Sequence, residues 1–208
     1  MTKIKICGLR RPEDVAMVNR WQPDYAGFVF AAGKRQVTQE KARALRQQLD
    51  PAIPAVGVFV REPVERAAEL ANEGIIQLVQ LHGDEDAAYI AALRKLTKAP
   101  IIKVIRVRDK ESLEHLESWD CDYFLLDAFS KSQFGGLGKT FDHKLLKDLK
   151  LPKPFFLAGG LNEGNIEDAI SCVHPYGVDT SSGVETDGLK DEGKIRGFIR
   201  VVRKEEQQ

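Results

Sequence analysis

The sequence predicts an α/β protein folded as a (β/α)8 TIM barrel, on three observations. Eight short apolar runs recur along the 208 residues, their starts 21 to 32 residues apart. That interval has room for a strand, a helix and two loops. The segments between them carry apolar residues at steps of three and four, the mark of amphipathic helices. The last two runs are each followed by a small-residue turn, Gly159-Gly160 and Ser181-Ser182-Gly183. Alternating β and α implies a parallel sheet, and eight units suggest closure, with a doubly wound open sheet as the competing topology.

In chain order the runs are Lys3–Cys7, Tyr25–Phe30, Ala55–Val60, Ile76–Leu81, Ile101–Val107, Tyr123–Asp127, Phe155–Ala158 and Gly177–Asp179. Helical stepping is clearest over Thr38–Leu49, Pro63–Glu73 and Asp86–Leu96, and again over Ile166–Val173, where Asn162 or Asn165 is the expected N-cap. No linker or second composition zone divides the chain, so residues 1–208 are expected to form one domain.

Hydrophobic residues make up 43% and charged residues 30%, enough for a core and a soluble surface. Lys+Arg and Asp+Glu both total 31, so no net field favours nucleic acid, and a small-molecule substrate is expected. No apolar run has the ~18–20 residues of a membrane helix, and MTKIKICGLRR lacks a signal-peptide core. Cys7, Cys121 and Cys172 show no CxxC spacing and suggest a reducing, cytoplasmic compartment. The four histidines, at 82, 115, 143 and 174, lack metal-site spacing, and no metal site is expected.

Both faces of a barrel strand are buried, so polar residues within strands need a reason. Alternation places Ile4 and Ile6 on one face of the first run, and Lys5 and Cys7 on the other, facing the barrel interior. Gln80 and His82 share a face of the fourth run, Asp127 closes the sixth and Asp179 the eighth. The C-terminal ends of barrel strands are where catalytic groups sit. The two glycine-containing turns read as cups of backbone N–H groups for a phosphate, formed by Gly159 and Gly160 and by Ser181, Ser182 and Gly183.

These residues also carry a resemblance. KICGLR at 5–10, YAGFVF at 25–30, GKR at 33–35, VGVFV at 56–60, LVQLHGDE at 78–85, FLLDA at 124–128, GGLGKTFD at 135–142, FLAGGLN at 156–162 and VDTSSGVE at 178–185 resemble the phosphoribosylanthranilate isomerase family. The resemblance implies a ribulose-phosphate-binding barrel that performs an Amadori rearrangement in tryptophan biosynthesis, with no cofactor. N-(5-phosphoribosyl)anthranilate becomes 1-(2-carboxyphenylamino)-1-deoxyribulose 5-phosphate.

By position in the family's motifs, Cys7 is the base and Asp127 the acid. Lys5 is a source of positive potential for a Cys7 thiolate, which makes Cys7 the expected reactive thiol. Arg35 is matched to the anthranilate carboxylate, Gln80, His82 and Asp179 to substrate or its immediate surroundings, and Gly136 and Gly138 to the neighbourhood of the phosphate. Gly33-Lys34, Leu137 and His143 depart from the family's usual residues. Rival readings are an indole-glycerol-phosphate synthase-like barrel, the histidine-pathway aminoaldose isomerase, and a non-catalytic phosphate-binding barrel. Monomer and homodimer are both compatible with the chain.

Overall fold

A computed structural model describes residues 1–109, 111–127 and 151–205, with the side chains of the last two residues excepted. All eight predicted runs are strands: β1 (Lys3–Cys7), β2 (Tyr25–Val29), β3 (Ala55–Phe59), β4 (Leu78–Leu81), β5 (Ile101–Arg106), β6 (Tyr123–Asp127), β7 (Phe155–Ala158) and β8 (Gly177–Thr180). They close in sequential order into a parallel barrel, with β8 pairing back onto β1. The open-sheet alternative is thereby excluded.

The described helices on the outside are α1 (Pro12–Trp21), α2 (Gln39–Gln48), α3 (Val64–Asn72), α4 (Ala87–Leu96), α5 (Ile166–Val173) and α6 (Glu192–Glu205). Their starts follow local chemistry. Thr38 accepts from the Lys41 N–H at 3.2 Å to cap α2, and Asp86 accepts from the Tyr89 N–H at 2.9 Å to cap α4. Asn165 occupies the N-cap of α5 but makes no side-chain cap bond there. It is used instead to fold the loop before the helix.

The connection from β5 to β6 departs from the expected pattern. Its described part holds two single 3-10 turns, Glu111–Leu113 and Leu116–Ser118, with His115 in the left-handed region between them at φ 57°. Leu113, Leu116 and Trp119 recur at intervals of three, which suits the 3-10 repeat better than the α-helical one.

Two packed regions follow from strand alternation. Ile4, Ile6, Phe28, Phe59 and Phe124 face outward and are buried against the helices, together with Phe198 of α6. Val56, Leu78, Ile102, Val104, Leu125 and Phe156 fill the barrel interior. Its N-terminal end is closed by aromatic rings: Phe156 meets Tyr25, Tyr123 and Tyr176 edge-on, at centroid distances of 5.5, 5.9 and 5.4 Å. The polar interior residues therefore lie toward the opposite, C-terminal end.

Candidate active site

Register, more than loop geometry, assembles the first part of the site. Lys5 of β1 pairs across the closure with Asp179 of β8, and Cys7 pairs with Gly27 of β2. Lys5 is fully buried, and its Nζ donates to Asp179 Oδ1 at 2.9 Å. Burial is the largest influence on the Lys5 pKa and would lower it, but Asp179 and Cys7 together outweigh it and the ammonium is held above its usual value.

The Cys7 thiol sits where Gly27 leaves space: a Cβ at position 27 would stand 2.6 Å from Cys7 Sγ. Burial pushes this thiol up, against the pull of the Lys5 and Lys190 ammoniums. The charge of Lys5 does not act on this thiol alone. Lys5 does pull the thiol down, but its charge is already matched by Asp179, whose own negative charge opposes ionisation of Cys7.

Asp127 ends β6, three strands from β1 when counted through the closure. Its Oδ2 lies 3.5 Å from His82 Nε2, and the Gln80 amide nitrogen stands 3.1 Å from His82 Nδ1. Gln80 is buried within β4, whereas His82 and Asp127 retain partial exposure at the mouth.

Arg35 is brought to the same rim from the loop after β2. Its stem crosses Gly8, where an added Cβ would lie 2.6 Å from Arg35 Cδ and where φ is 85°. Gly8 is thus required both for the turn after Cys7 and for the passage of Arg35. The guanidinium was expected to be presented to a substrate carboxylate. In the structure it forks onto Glu185, Nε to Oε1 at 2.8 Å and Nη2 to Oε2 at 2.7 Å.

Glu185 begins the short strand β9 (Glu185–Thr186), which pairs with β10 (Leu189–Lys190). Lys190 is buried and donates to Glu185 Oε1 at 2.7 Å and to the Ser181 carbonyl at 2.9 Å. Burial would raise the Glu185 carboxyl, but the bonds from Arg35 and Lys190 prevail and hold it at about 2. Neither Glu185 nor Lys190 was singled out from sequence, and only the glutamate lies in a motif that could have flagged it. Ser181 Oγ then donates to the Cys7 carbonyl at 3.0 Å, which joins this network to the end of β1.

The two small-residue turns follow β7 and β8 as expected. Gly159 and Gly160 have φ 102° and 73°, values that favour glycine. The side-chain amides of Asn162 and Asn165 both donate to the Gly160 carbonyl at 3.1 Å. Thr180 Oγ1 donates to the Leu161 carbonyl at 2.7 Å, and any Cβ on Gly183 would collide with that carbonyl. The turns are therefore packed into one another. The N–H groups of Gly160 and Gly183 have no partner among the described residues. Gly136, Gly138, Leu137 and His143 lie outside the described residues.

A closed parallel barrel with a cysteine, two aspartates and a histidine at the C-terminal ends of its strands, and paired glycine turns after its last two, defines an enzyme of the phosphate-binding barrel class. Residues 4–201 match the family model for N-(5'-phosphoribosyl)anthranilate isomerase, and the chain belongs to that family. It is 49% identical to the N-(5'-phosphoribosyl)anthranilate isomerase of Thermoanaerobacter pseudethanolicus, with 98% of each chain covered.

Among solved structures, the Thermotoga maritima isomerase superposes with a TM-score of 0.84 at 34% identity, covering 98% of this chain and all of the other. A second structure from that organism, at 33% identity and TM-score 0.82, is of monomers generated from the dimeric enzyme; it too covers 98% of this chain and all of the other. An isomerase in complex with reduced 1-(o-carboxyphenylamino)-1-deoxyribulose 5-phosphate superposes at 0.81 with 32% identity, again covering 98% and 100%. The chain is accordingly an isomerase of tryptophan biosynthesis. The rival synthase, histidine-pathway and non-catalytic readings are set aside.

Proposed function

We propose that Asp127 and Cys7 are the acid and base by which this chain rearranges N-(5'-phosphoribosyl)anthranilate, without a cofactor. The observation that carries the reading is their placement at one barrel mouth, from strands three apart, with the His82 imidazole beside the carboxyl and the Lys5 ammonium acting on the thiol. Asp127 gives its proton to the ribose ring oxygen. The C1–O bond breaks toward that oxygen, and the anthranilate nitrogen supplies the electron pair that makes a protonated Schiff base.

The second half removes the C2 proton to Cys7 as thiolate. The C–H pair forms the C1–C2 double bond while the C=N pair returns to nitrogen, and the resulting enol tautomerises to the ketone. Before this step the Cys7 thiol loses its own proton to solvent at the barrel mouth, and the new positive charge at C1–N makes that ionisation more favourable than in the free enzyme, where burial raises the thiol.

The substrate phosphate is assigned to the cups of Gly159, Gly160, Ser181, Ser182 and Gly183, with Gly136 and Gly138 from the loop after β6 nearby. The free N–H groups of Gly160 and Gly183 support this assignment. Arg35 is assigned to the anthranilate carboxylate through Nη1, which has no partner among the described residues and leaves the Glu185 fork intact. Lys5 and Asp179 are assigned to the ribose side as a fixed, mutually neutralising pair. One barrel domain over residues 1–208, a cytoplasmic setting, no nucleic-acid or membrane partner, and a monomer or homodimer complete the reading. The dimeric Thermotoga maritima relative supports the homodimer, and three unpaired cysteines fit a reducing compartment.

Loss of anthranilate-type fluorescence on mixing with phosphoribosylanthranilate measures turnover. Asp127→Asn and Cys7→Ser should each lower kcat by about 10²–10⁴-fold with KM little changed. The double variant should lose less than the product of the two, because both groups serve one path. A kcat within threefold of the parent for Asp127→Asn would remove that residue from the mechanism.

A further inference from the structure

We propose that Gln80 is a positioning residue that fixes the neutral imidazole of His82 in the Nε2–H tautomer, so that its single ring proton faces Asp127. The inference rests on Asp127 as the acid, and goes beyond it by assigning Gln80 a task that involves no contact with substrate. The Gln80 amide nitrogen stands 3.1 Å from His82 Nδ1. An amide N–H donates, so Nδ1 must present its lone pair, and the ring proton of the neutral form is then on Nε2. That nitrogen is the one 3.5 Å from Asp127 Oδ2.

Among the described residues, no other hydrogen bond reaches the His82 ring. Its backbone N–H is committed to the Phe59 carbonyl at 2.8 Å, and its carbonyl accepts from Arg106 Nη2 at 3.0 Å. Both bonds fix the main chain, and among the described residues Gln80 and Asp127 are left to orient the ring.

The second observation is a cost. Gln80 is 1% exposed, and its Oε1 is buried with no hydrogen-bond partner among the described residues. A buried amide oxygen without a donor is destabilising, and a leucine or methionine at this strand position would avoid it. An orphaned acceptor is intelligible if the other end of the amide is needed where it is. When Asp127 releases its proton to the ring oxygen, the carboxylate that forms meets an N–H rather than a lone pair. In the opposite tautomer Nε2 would present its lone pair to that carboxylate and oppose proton release.

Side-chain ¹⁵N–¹H correlation spectra of the full-length protein read the tautomer directly, with His82→Asn used for assignment. The wild type should show Nε2 protonated and Nδ1 bare. Gln80→Met, which cannot donate, should give mixed tautomers and a kcat at least about tenfold lower at little-changed KM. Gln80→Glu, an acceptor, should move the proton to Nδ1 and lower kcat further. A wild-type spectrum with Nδ1 protonated overturns the proposal, as does Gln80→Met with unaltered tautomer or kcat within threefold. The wild-type spectrum decides even where a variant fails to fold. If instead Asp127→Asn retained full turnover, the acid assignment would fall while the tautomer measurement stood.

Discussion

Replacing Asp179 by asparagine should expose how strongly the barrel depends on one buried ion pair. Lys5 is wholly buried and Asp179 nearly so, and their atoms are 2.9 Å apart in paired positions of β1 and β8. Removing one partner leaves an uncompensated ammonium inside the barrel, typically a loss of about 3–5 kcal/mol. At ~2–4 °C per kcal/mol for a chain of this size, Tm should fall by roughly 6–20 °C.

The loss should also depend on pH, with a definite sign. In the parent, the folded Lys5 pKa is raised, so its contribution is complete below the unfolded value of ~10.4 and fades only above that. Without Asp179, burial is the largest influence left and is opposed by Cys7, so the folded pKa should drop below the unfolded one and the variant should gain stability as pH rises toward ~10.4. Urea denaturation of both proteins at pH 7 and pH 9.5 should therefore show a smaller difference at the higher pH. Lys5→Met added to Asp179→Asn should restore most of the loss, because no buried charge then remains unpaired. A variant within about 1 kcal/mol of the parent at pH 7 would refute this reasoning.

Three further outcomes follow from the site geometry. Ser182→Asp, which brings a negative charge to the second glycine cup, should raise KM far more than it lowers kcat; the reverse split would show that the cup does not hold the phosphate. Alkylation followed by mass spectrometry should label the half-buried Cys172 before Cys7, because burial raises the Cys7 thiol and restricts access to it. Fast labelling of Cys7 at pH 7 would contradict that environment. The value of kcat/KM should still be rising with pH at the alkaline end of the ordinary thiol range, since it reports the free enzyme, whose Cys7 pKa is raised by burial. A flat profile from pH 7 to 9 would mean that the thiol is already ionised or is not the base.

What could be read from sequence was set by short-range rules. Strands buried on both faces must be apolar apart from residues with a task, so Lys5, Cys7 and Gln80 stood out and alternation gave their direction. Register then placed Lys5 opposite Asp179 and Cys7 opposite Gly27, but register is a property of closure that neither segment carries alone. The Arg35–Glu185–Lys190 network joins positions 150 residues apart, and no local pattern distinguishes Lys190 from a surface lysine. The protonation of Cys7 was the least legible feature. Its direction is a balance of burial and the Asp179 carboxylate against two ammoniums, and a motif names the participants without weighing them.

The same balance gives the site an order of events. A thiolate permanently formed beside Asp179 would be costly in a buried site and open to oxidation. A thiol that ionises once a cationic Schiff base stands nearby avoids both. If Asp127 and Cys7 are the acid and base proposed above, Asp127 acts first, because its proton transfer creates the charge that favours the Cys7 thiolate. On this view acid and base are coupled in sequence rather than working independently from two sides of the sugar. On the tautomer proposed for His82, Gln80 would set the response of Asp127 and so act on both halves of the reaction through the first.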